Sequence, residues 1–204
     1  TLVVTQGAGS GSDVMARLLA GYLSPLLGQS VVVENRAGAS GIIGHQSVAK
    51  APADGYTLLF TSTAGLFVVP VMNPNAKYSL ADYEPVAPVM RAPFAVLVAN
   101  NATAPKTMAE LISTVNSKPQ SFASAGVGTM THLGSELVMR KAGIQATHIP
   151  YKGSGAALTD LMGGQVLFAT DSLTAAMTHI RSGRLRALAT TDTAREASLP
   201  DVPT

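Results

Sequence analysis

Short apolar runs rich in Val and Leu alternate along this chain with longer segments of helical period, and this alternation constrains the fold more than any other feature of the sequence. Apolar runs without a polar face belong to strands covered on both sides, so the pattern predicts layered α/β structure with mostly parallel sheets and helices on both faces. Strands are expected at Leu2–Thr5, Val31–Glu34, Thr57–Thr61, Val86–Val89, Ala95–Ala99, Phe122–Ser124, Thr147–Ile149, Val166–Ala169 and Leu185–Thr190. Helices are expected at Ser12–Leu27, Ile42–Lys50, Met108–Ser117, Thr131–Ala142, Ala156–Met162 and Thr174–Ser182. Ser12 reads as an N-cap followed by Asp13, Thr107 with Glu110 as a capping box, and Gly28, Gly143 and Gly183 as C-terminal caps.

Two strand-to-helix loops share one design. Gly7-Ala8-Gly9-Ser10-Gly11-Ser12-Asp13 follows the first strand, and Ser124-Ala125-Gly126-Val127-Gly128-Thr129-Met130-Thr131-His132 follows a mid-chain strand. The distance between them, about one small domain, implies two lobes, each presenting a glycine-rich helix start, with a first crossover at Arg91–Pro105. Such a start leaves up to about four amides unpaired at the positive end of the helix dipole, which favours anions, carboxylates as well as phosphates. Ser10, Ser12, Thr129 and Thr131 add hydroxyl donors. For either loop alone the plainer reading is a tight turn.

Composition removes several function classes. With 204 residues, 47% of them hydrophobic, the chain can bury one large core or two small ones. Charged residues are 13%, against about 25% in an average domain. No apolar run approaches the roughly 18 residues that cross a bilayer. The net charge of +2 is scattered, and the densest basic group, Arg181, Arg184 and Arg186, has no aromatic neighbour to stack a base. Nucleic acid is therefore not an expected partner. The absence of Cys excludes disulfides and thiolate metal sites. The four histidines never fall at H-x-x-x-H spacing, so no metal is expected, and no sequence feature implies a cofactor.

Nucleotide and enzyme motifs fail on detail. Gly7-x-Gly9-x-Gly11 lacks the spacing of G-x-G-x-x-G, no P-loop occurs, and no serine sits in G-x-S-x-G. Gly38-Ala39-Ser40-Gly41-Ile42-Ile43-Gly44 also joins a strand to a helix and reads first as close backbone packing, second as a wall of a cleft. His132 has two readings, ligand contact or local packing. Asp171 is either an acceptor for a ligand ammonium or hydroxyl, or the cap of the helix after it. Arg36 would pair with a carboxylate ligand or hold its loop through a salt bridge; Tyr151 would wall a pocket, and Lys152 is a solvated charge.

In this order, several blocks carry a family resemblance: Gly9–Arg17 (GSGSDVMAR), Gly28–Gly44 (GQSVVVENRAGASGIIG), Ala53–Leu59 (ADGYTLL), Phe122–Leu133 (FASAGVGTMTHL), His148–Gly153 (HIPYKG), Leu158–Val166 (LTDLMGGQV), Leu185–Thr190 (LRALAT) and Leu199–Thr204 (LPDVPT). Together they resemble the Bug family of tripartite tricarboxylate transporter receptors, the TctC-like proteins, across essentially the whole chain. The resemblance implies a two-lobed type II periplasmic binding fold with a ligand cleft between the lobes, a periplasmic location, no catalysis and no cofactor. The implied partners are a small carboxylate and membrane transporter subunits. Residues 1–95 would form the first lobe and 96–195 the second. One ligand carboxylate would lie between Gly7–Ser12 and Ala125–Thr131. Carried over by position, the ligand-binding set is Gly9, Ser10, Gly11, Ser12, Ser62, Thr63, Ala125, Gly126, Gly128, Thr129, Thr131, His132 and Asp171.

The chain departs from the family pattern in three places. Thr5 and Gln6 stand where a Pro and an aromatic are usual, and Leu167 stands where Asp is common. Residues 196–204 would begin a return to the first lobe that does not follow, so both ends are expected to be cuts and an incompletely covered first lobe to self-associate. Two other classes stay open: an α/β hydrolase or transferase with a glycine-rich loop as oxyanion hole, which needs a His near Ser10, Ser12, Thr129 or Thr131, and a sensor that reports ligand occupancy to a partner.

Overall fold

The computed structural model describes residues 1–91 and 93–204. Strands β1 (Leu2–Val4), β2 (Val33–Asn35) and β3 (Leu58–Phe60) form a parallel sheet in the order β2-β1-β3. Between and after them come helices α1 (Gly11–Leu27), α2 (Ile42–Ala49), α3 (Thr63–Phe67) and α4 (Val69–Met72). The second sheet contains β4 (Phe94–Ala99), β5 (Ser121–Ser124), β6 (Thr147–Pro150), β7 (Phe168–Ser172) and β8 (Leu185–Thr190), ordered β6-β5-β7-β4-β8. Helices α5 (Met108–Ser117), α6 (Met130–Ala142), α7 (Ser154–Met162) and α8 (Leu173–Arg181) cover its faces. No helix among the described residues is long and apolar enough to cross a membrane.

The second sheet corrects the expectation of parallel pairing. β5 pairs in parallel with β6 and β7, but β4 runs antiparallel to both β7 and β8, so this sheet is mixed. It takes up the chain at Phe94, and a division between residues 95 and 96 falls inside β4; Ala92, in the expected crossover, lies outside the described residues. Val86–Val89 is not a strand: it has no regular structure, and Val86 is 80% exposed. The strand expected from Val166 begins at Phe168, because α7 ends in a turn in which Gln165 N–H still bonds the Asp160 carbonyl.

Helix punctuation follows local chemistry with two shifts. The N-cap of α1 is Ser10, not Ser12: its extended backbone lets Oγ accept from Asp13 N–H at 3.2 Å. Thr107 caps α5 by accepting from Glu110 N–H, but the Glu110 carboxylate accepts from Lys106 N–H, so the reciprocal half of the box lies one residue early. Gly28 and Gly143 end α1 and α6 in the left-handed conformation.

Packing is heavier in the second lobe. Along β4, Ala95 and Leu97 face α7 and α8 with Ala169, Leu158 and Leu161, while Val96 and Val98 face α5 and α6 with Phe122, Phe168, Leu111 and Met139. The two-residue period of a strand thus feeds two cores at once. After β8 the chain folds back on this sheet, where the Thr190 amide donates to the Pro203 carbonyl at 2.8 Å and Leu199 packs on the α7/α8 core. The first lobe has a smaller core of Leu2, Val4, Ala16 and Phe60, and Leu18, Tyr22 and Leu26 on α1 are 53%, 74% and 80% exposed.

The core of the second lobe should therefore contribute a large share of the stability. Phe168 is fully buried between the sheet and α6, and Phe168→Ala is expected to lower unfolding free energy by about 3–5 kcal/mol in a denaturant titration.

Candidate functional site

Both sheets repeat one arrangement: the first strand of the unit lies between the second and the third, as in β2-β1-β3 and β6-β5-β7. In such sheets the crossover helices leave to opposite sides at the central strand, opening a crevice beyond the carboxyl ends of the strands. The two crevices face each other across a cavity of about 200 Å³. Its lining is Thr5, Gln6 and Gly38–Gly41 from the first lobe, and Ala125–Val127, Thr129 and Pro150–Lys152 from the second. Pockets for drug-sized ligands measure roughly 300–1,000 Å³, so this space suits a compact molecule.

The first-lobe wall is a strained turn. Ala39 and Ser40 have φ of 47° and 58°, a left-handed conformation that side chains disfavour, between Gly38 and Gly41 at 128° and 92°. The Gly41 amide closes the turn on the Gly38 carbonyl at 2.9 Å. The Ala39 and Ser40 amides make no hydrogen bond within the protein among the described residues. Successive amides in such a turn form a concave anion receptor.

His45 pins that turn. It is fully buried, with Nδ1 2.8 Å from the Gly41 carbonyl and Nε2 2.9 Å from Thr61 Oγ1, and the Tyr78 ring stacks on it at 4.6 Å. Burial pushes its pKa down despite the Gly41 carbonyl, so the ring is neutral. A carbonyl can only accept, which fixes the proton on Nδ1 and makes Nε2 the acceptor for Thr61.

The second-lobe wall consumes most of its own donors. Ala125 N–H donates to Thr131 Oγ1 at 2.8 Å, Gly126 N–H to Ser124 Oγ at 3.1 Å, Gly128 N–H to His132 Nδ1 at 3.2 Å, and Thr129 N–H to the Gly126 carbonyl at 3.3 Å. Between Ala125 and Thr129 only the Val127 amide is left without a protein partner, among the described residues. Gly126, at φ 131°, faces Ser40 across the cleft: a Cβ there would lie 3.1 Å from Ser40 Oγ. Beneath the turn His132 stacks on His148 at 4.1 Å, and His148 on Phe122 at 4.9 Å, with His148 Nε2 2.6 Å from Ser124 Oγ.

The family model for the tripartite tricarboxylate transporter family receptor matches residues 15–204. The chain belongs to this family. BugT of Bordetella pertussis is 42% identical over 207 residues, covering 100% of this chain and 63% of BugT. The solved structure of the periplasmic binding protein BugD matches with a TM-score of 0.92 at 36% identity, over 100% of this chain and 68% of BugD. MatC from Rhodopseudomonas palustris, solved with bound malate, matches at 0.87 and 30% identity, over 100% of this chain and 70% of MatC. The chain spans about three fifths of the length of the curated relatives it matches. Its fold is the two-lobed periplasmic binding fold of these receptors.

Within this receptor fold the residues singled out from sequence separate into groups. Ala125, Gly126 and Thr129 line the cavity, and Gly128, Thr131 and His132 stand behind them, the latter two as acceptors for loop amides. Gly9, Ser10, Gly11 and Ser12 are outside the lining. Gly9 N–H donates to Asp13 Oδ2 at 3.0 Å, Ser10 N–H to the Gly7 carbonyl, and Ser10 Oγ is the cap. Arg17 and Asn35 also bond Asp13; burial opposes its charge, but these bonds and the Gly9 amide hold its pKa below the usual range. Ser62 and Thr63 begin α3 outside the lining. Arg36 is paired with Glu34 at 2.8 Å and 3.0 Å through both its Nε and a terminal nitrogen.

Asp171 is also outside the lining. It lies just before the α8 N-cap, which is Ser172, and its Oδ1 accepts from Ser172 N–H at 2.7 Å while Oδ2 has no hydrogen-bond partner among the described residues. Burial pushes its carboxyl up to about 6, against the Ser154 and Ser172 hydroxyls and the Ser172 amide. Thr5, Gln6, Ala39, Ser40, Pro150 and Lys152 line the cavity but stand outside the ligand-binding set expected from sequence, where the Gly38–Gly44 segment reads as a wall of a cleft only second, after close backbone packing. The usable signal was the spacing of glycines at 38, 41 and 44, which marks backbone approach without saying to what.

The histidine stack should make stability sensitive to acid. His148 is pushed down to about 4, first by burial and then by the neighbouring His132. Unfolded, it titrates near its ordinary 6.5, so between these values the unfolded chain binds a proton that the folded one refuses. Stability therefore falls as pH is lowered through that window. Asp171, raised by burial, works in the opposite direction below about 6. Replacing His148 by Phe keeps a stacking ring and removes the titration. Thermal melts from about pH 7 to about pH 4 are expected to fall less steeply for His148→Phe than for the parent protein.

Proposed function

We propose that the chain is a periplasmic receptor that captures a small carboxylate between its lobes for the membrane subunits of a tripartite tricarboxylate-type transporter, without catalysis. The observation that carries this reading is the pair of walls: Ala39 and Ser40 on a strained turn and Val127 on the other lobe line one cavity of about 200 Å³, and their amides make no hydrogen bond within the protein among the described residues. Amides fixed in a low-dielectric crevice hold an anion without paying to reorganise. Lys152 and Gln6 at the rim add a cation and an amide. MatC, a solved relative, holds malate, a molecule compact enough for such a space. The division into lobes near residue 95 follows from the same reading.

The hydrolase alternative lacks its geometry. Near the glycine-rich turns, His132 Nδ1 accepts from the Gly128 amide instead of approaching a Thr129 or Thr131 hydroxyl. The Ser124–His148 contact is a buried Ser hydroxyl that also bonds both backbone groups of Gly126, which ties it to holding the turn.

A thermal-shift panel of mono-, di- and tricarboxylates, amino acids and aromatic acids tests the reading. A ligand at about a hundredfold excess over Kd should add about 2.7 kcal/mol of stability. If amides do the binding, Ser40→Gly and Lys152→Ala should weaken the best ligand only several-fold, because both leave the backbone donors in place. Gly126→Val, which fills the space facing Ser40, should abolish binding. Loss of all affinity in Lys152→Ala with normal binding in Gly126→Val would overturn the backbone cradle.

A further inference from the structure

The Gly7–Gly11 turn lies outside the cavity lining, yet it is pressed against the second lobe. A Cβ on Gly155 would stand 2.6 Å from the Ala8 carbonyl oxygen, and one on Gly153 would stand 2.9 Å from the Gly7 amide nitrogen. A Cβ on Gly11 would run into Ser172 Oγ. Ordinary contacts between heavy atoms sit near 3.5–4.0 Å, so no side-chain carbon fits at Gly153 or Gly155, where the obstacle is backbone, while the lobes touch.

Local structure does not ask for glycine at position 155. It lies in the first turn of α7 with φ outside the left-handed region, where Ala is the better helix former. Only the backbone of the opposite lobe excludes a side chain there. A carbonyl oxygen cannot rotate away as a side chain can, so one added methyl must be absorbed by separating the lobes.

We infer that Gly7–Gly11 and Gly153–Gly155 are a closing seam, and that Gly155 is a positioning residue that sets how near the two cavity walls come. The seam and the walls share their strand-to-helix junctions. Thr5 and Gln6 run directly into Gly7, and Tyr151 and Lys152 run directly into Gly153. A shim at the seam therefore pulls the Ser40 side of the cavity from the Val127 side without altering either wall. This rests on the reading of the cavity as a carboxylate site.

The test uses the intact chain. It has no Cys, so Lys50→Cys and Lys141→Cys, exposed positions in different lobes, can be labelled with a donor and an acceptor dye to report the distance between lobes. Malate serves as the probe. In this labelled background malate is expected to shorten the distance. Adding Gly155→Ala should hold it long with and without malate and weaken malate binding by about tenfold or more, while the unliganded melt is not lowered, since α7 gains a better helix former. Gly21→Ala, a helical position with open space around it, should behave like the parent. Gly7→Ala, whose Cβ would stand 3.2 Å from the Lys152 carbonyl oxygen, repeats a milder shim from the other lobe and carries the comparison if Gly155→Ala does not fold. Closure and malate affinity equal to the parent's in the shimmed variant overturn the seam. If malate moves nothing in the parent, the unliganded distance decides: a longer one in Gly155→Ala upholds the seam while malate fails as a ligand, and an equal one sinks the seam.

Discussion

Parallel strands send all their carboxyl ends, and the amide-rich starts of the helices that follow, to one edge of the sheet. A lobe built this way has a polar backbone edge that must be bonded internally, hydrated or given a ligand. Here two such edges face each other, and which amides remain unbonded decides what the cleft can hold. In the first turn, Asp13 and Ser10 take up the donors of Gly9 and Asp13. In the second, Thr131, Ser124, His132 and the Gly126 carbonyl take up the amides from Ala125 to Thr129 except that of Val127. The Gly7, Ala8, Gly11 and Ser12 amides of the first loop make no hydrogen bond within the protein among the described residues, but none of these residues lines the cavity. The first-lobe open donors that line it are in the turn after β2.

That turn is held by its surroundings, not by its own preference. Left-handed φ at two successive residues that are not glycine costs on the order of 1–3 kcal/mol each. The opposing interactions are fixed by burial: His45 bonded at both nitrogens, stacked on Tyr78, with the Tyr83 hydroxyl donating to its carbonyl at 2.8 Å. A neutral imidazole suits this post because it can donate to Gly41 and accept from Thr61 at once. The second lobe supports its turn with a stack of His132, His148 and Phe122. Each wall thus rests on a histidine whose pKa is pushed down, fully buried His45 in the first and half-buried His148 in the second, and neither lines the cavity.

The same backbone chemistry accounts for the ways the lobes meet. Glycines at the strand-to-helix junctions allow the two lobes to approach by main chain, and the approach brings the two open sets of amides to the cavity. The mixed second sheet gives this arrangement a broad base: β4, entering antiparallel between β7 and β8, buries apolar side chains on both faces. The three-stranded first lobe is slighter, and the charge-poor surface of α1 carries Leu18, Tyr22 and Leu26 in the open.

The sequence by itself determined the alternation of strands and helices, the two glycine-rich junctions and the family blocks, because periodicity and turn chemistry are local properties that survive without knowledge of neighbours. Eight of the nine expected strands formed; Val86–Val89 did not, since apolar residues make a strand only where a sheet edge is there to bond them. Tertiary structure alone decided the direction of β4, which no local pattern encodes, and the division of labour among the loops. Ser10 and Gly9 look like ligand donors until Asp13 folds back on them. Ala39 and Ser40 look like plain loop residues until His45 and Thr61 hold them left-handed. Whether an amide is open or already bonded depends on partners that tertiary packing can bring from tens of residues away, and one residue string cannot show which of its donors will be taken.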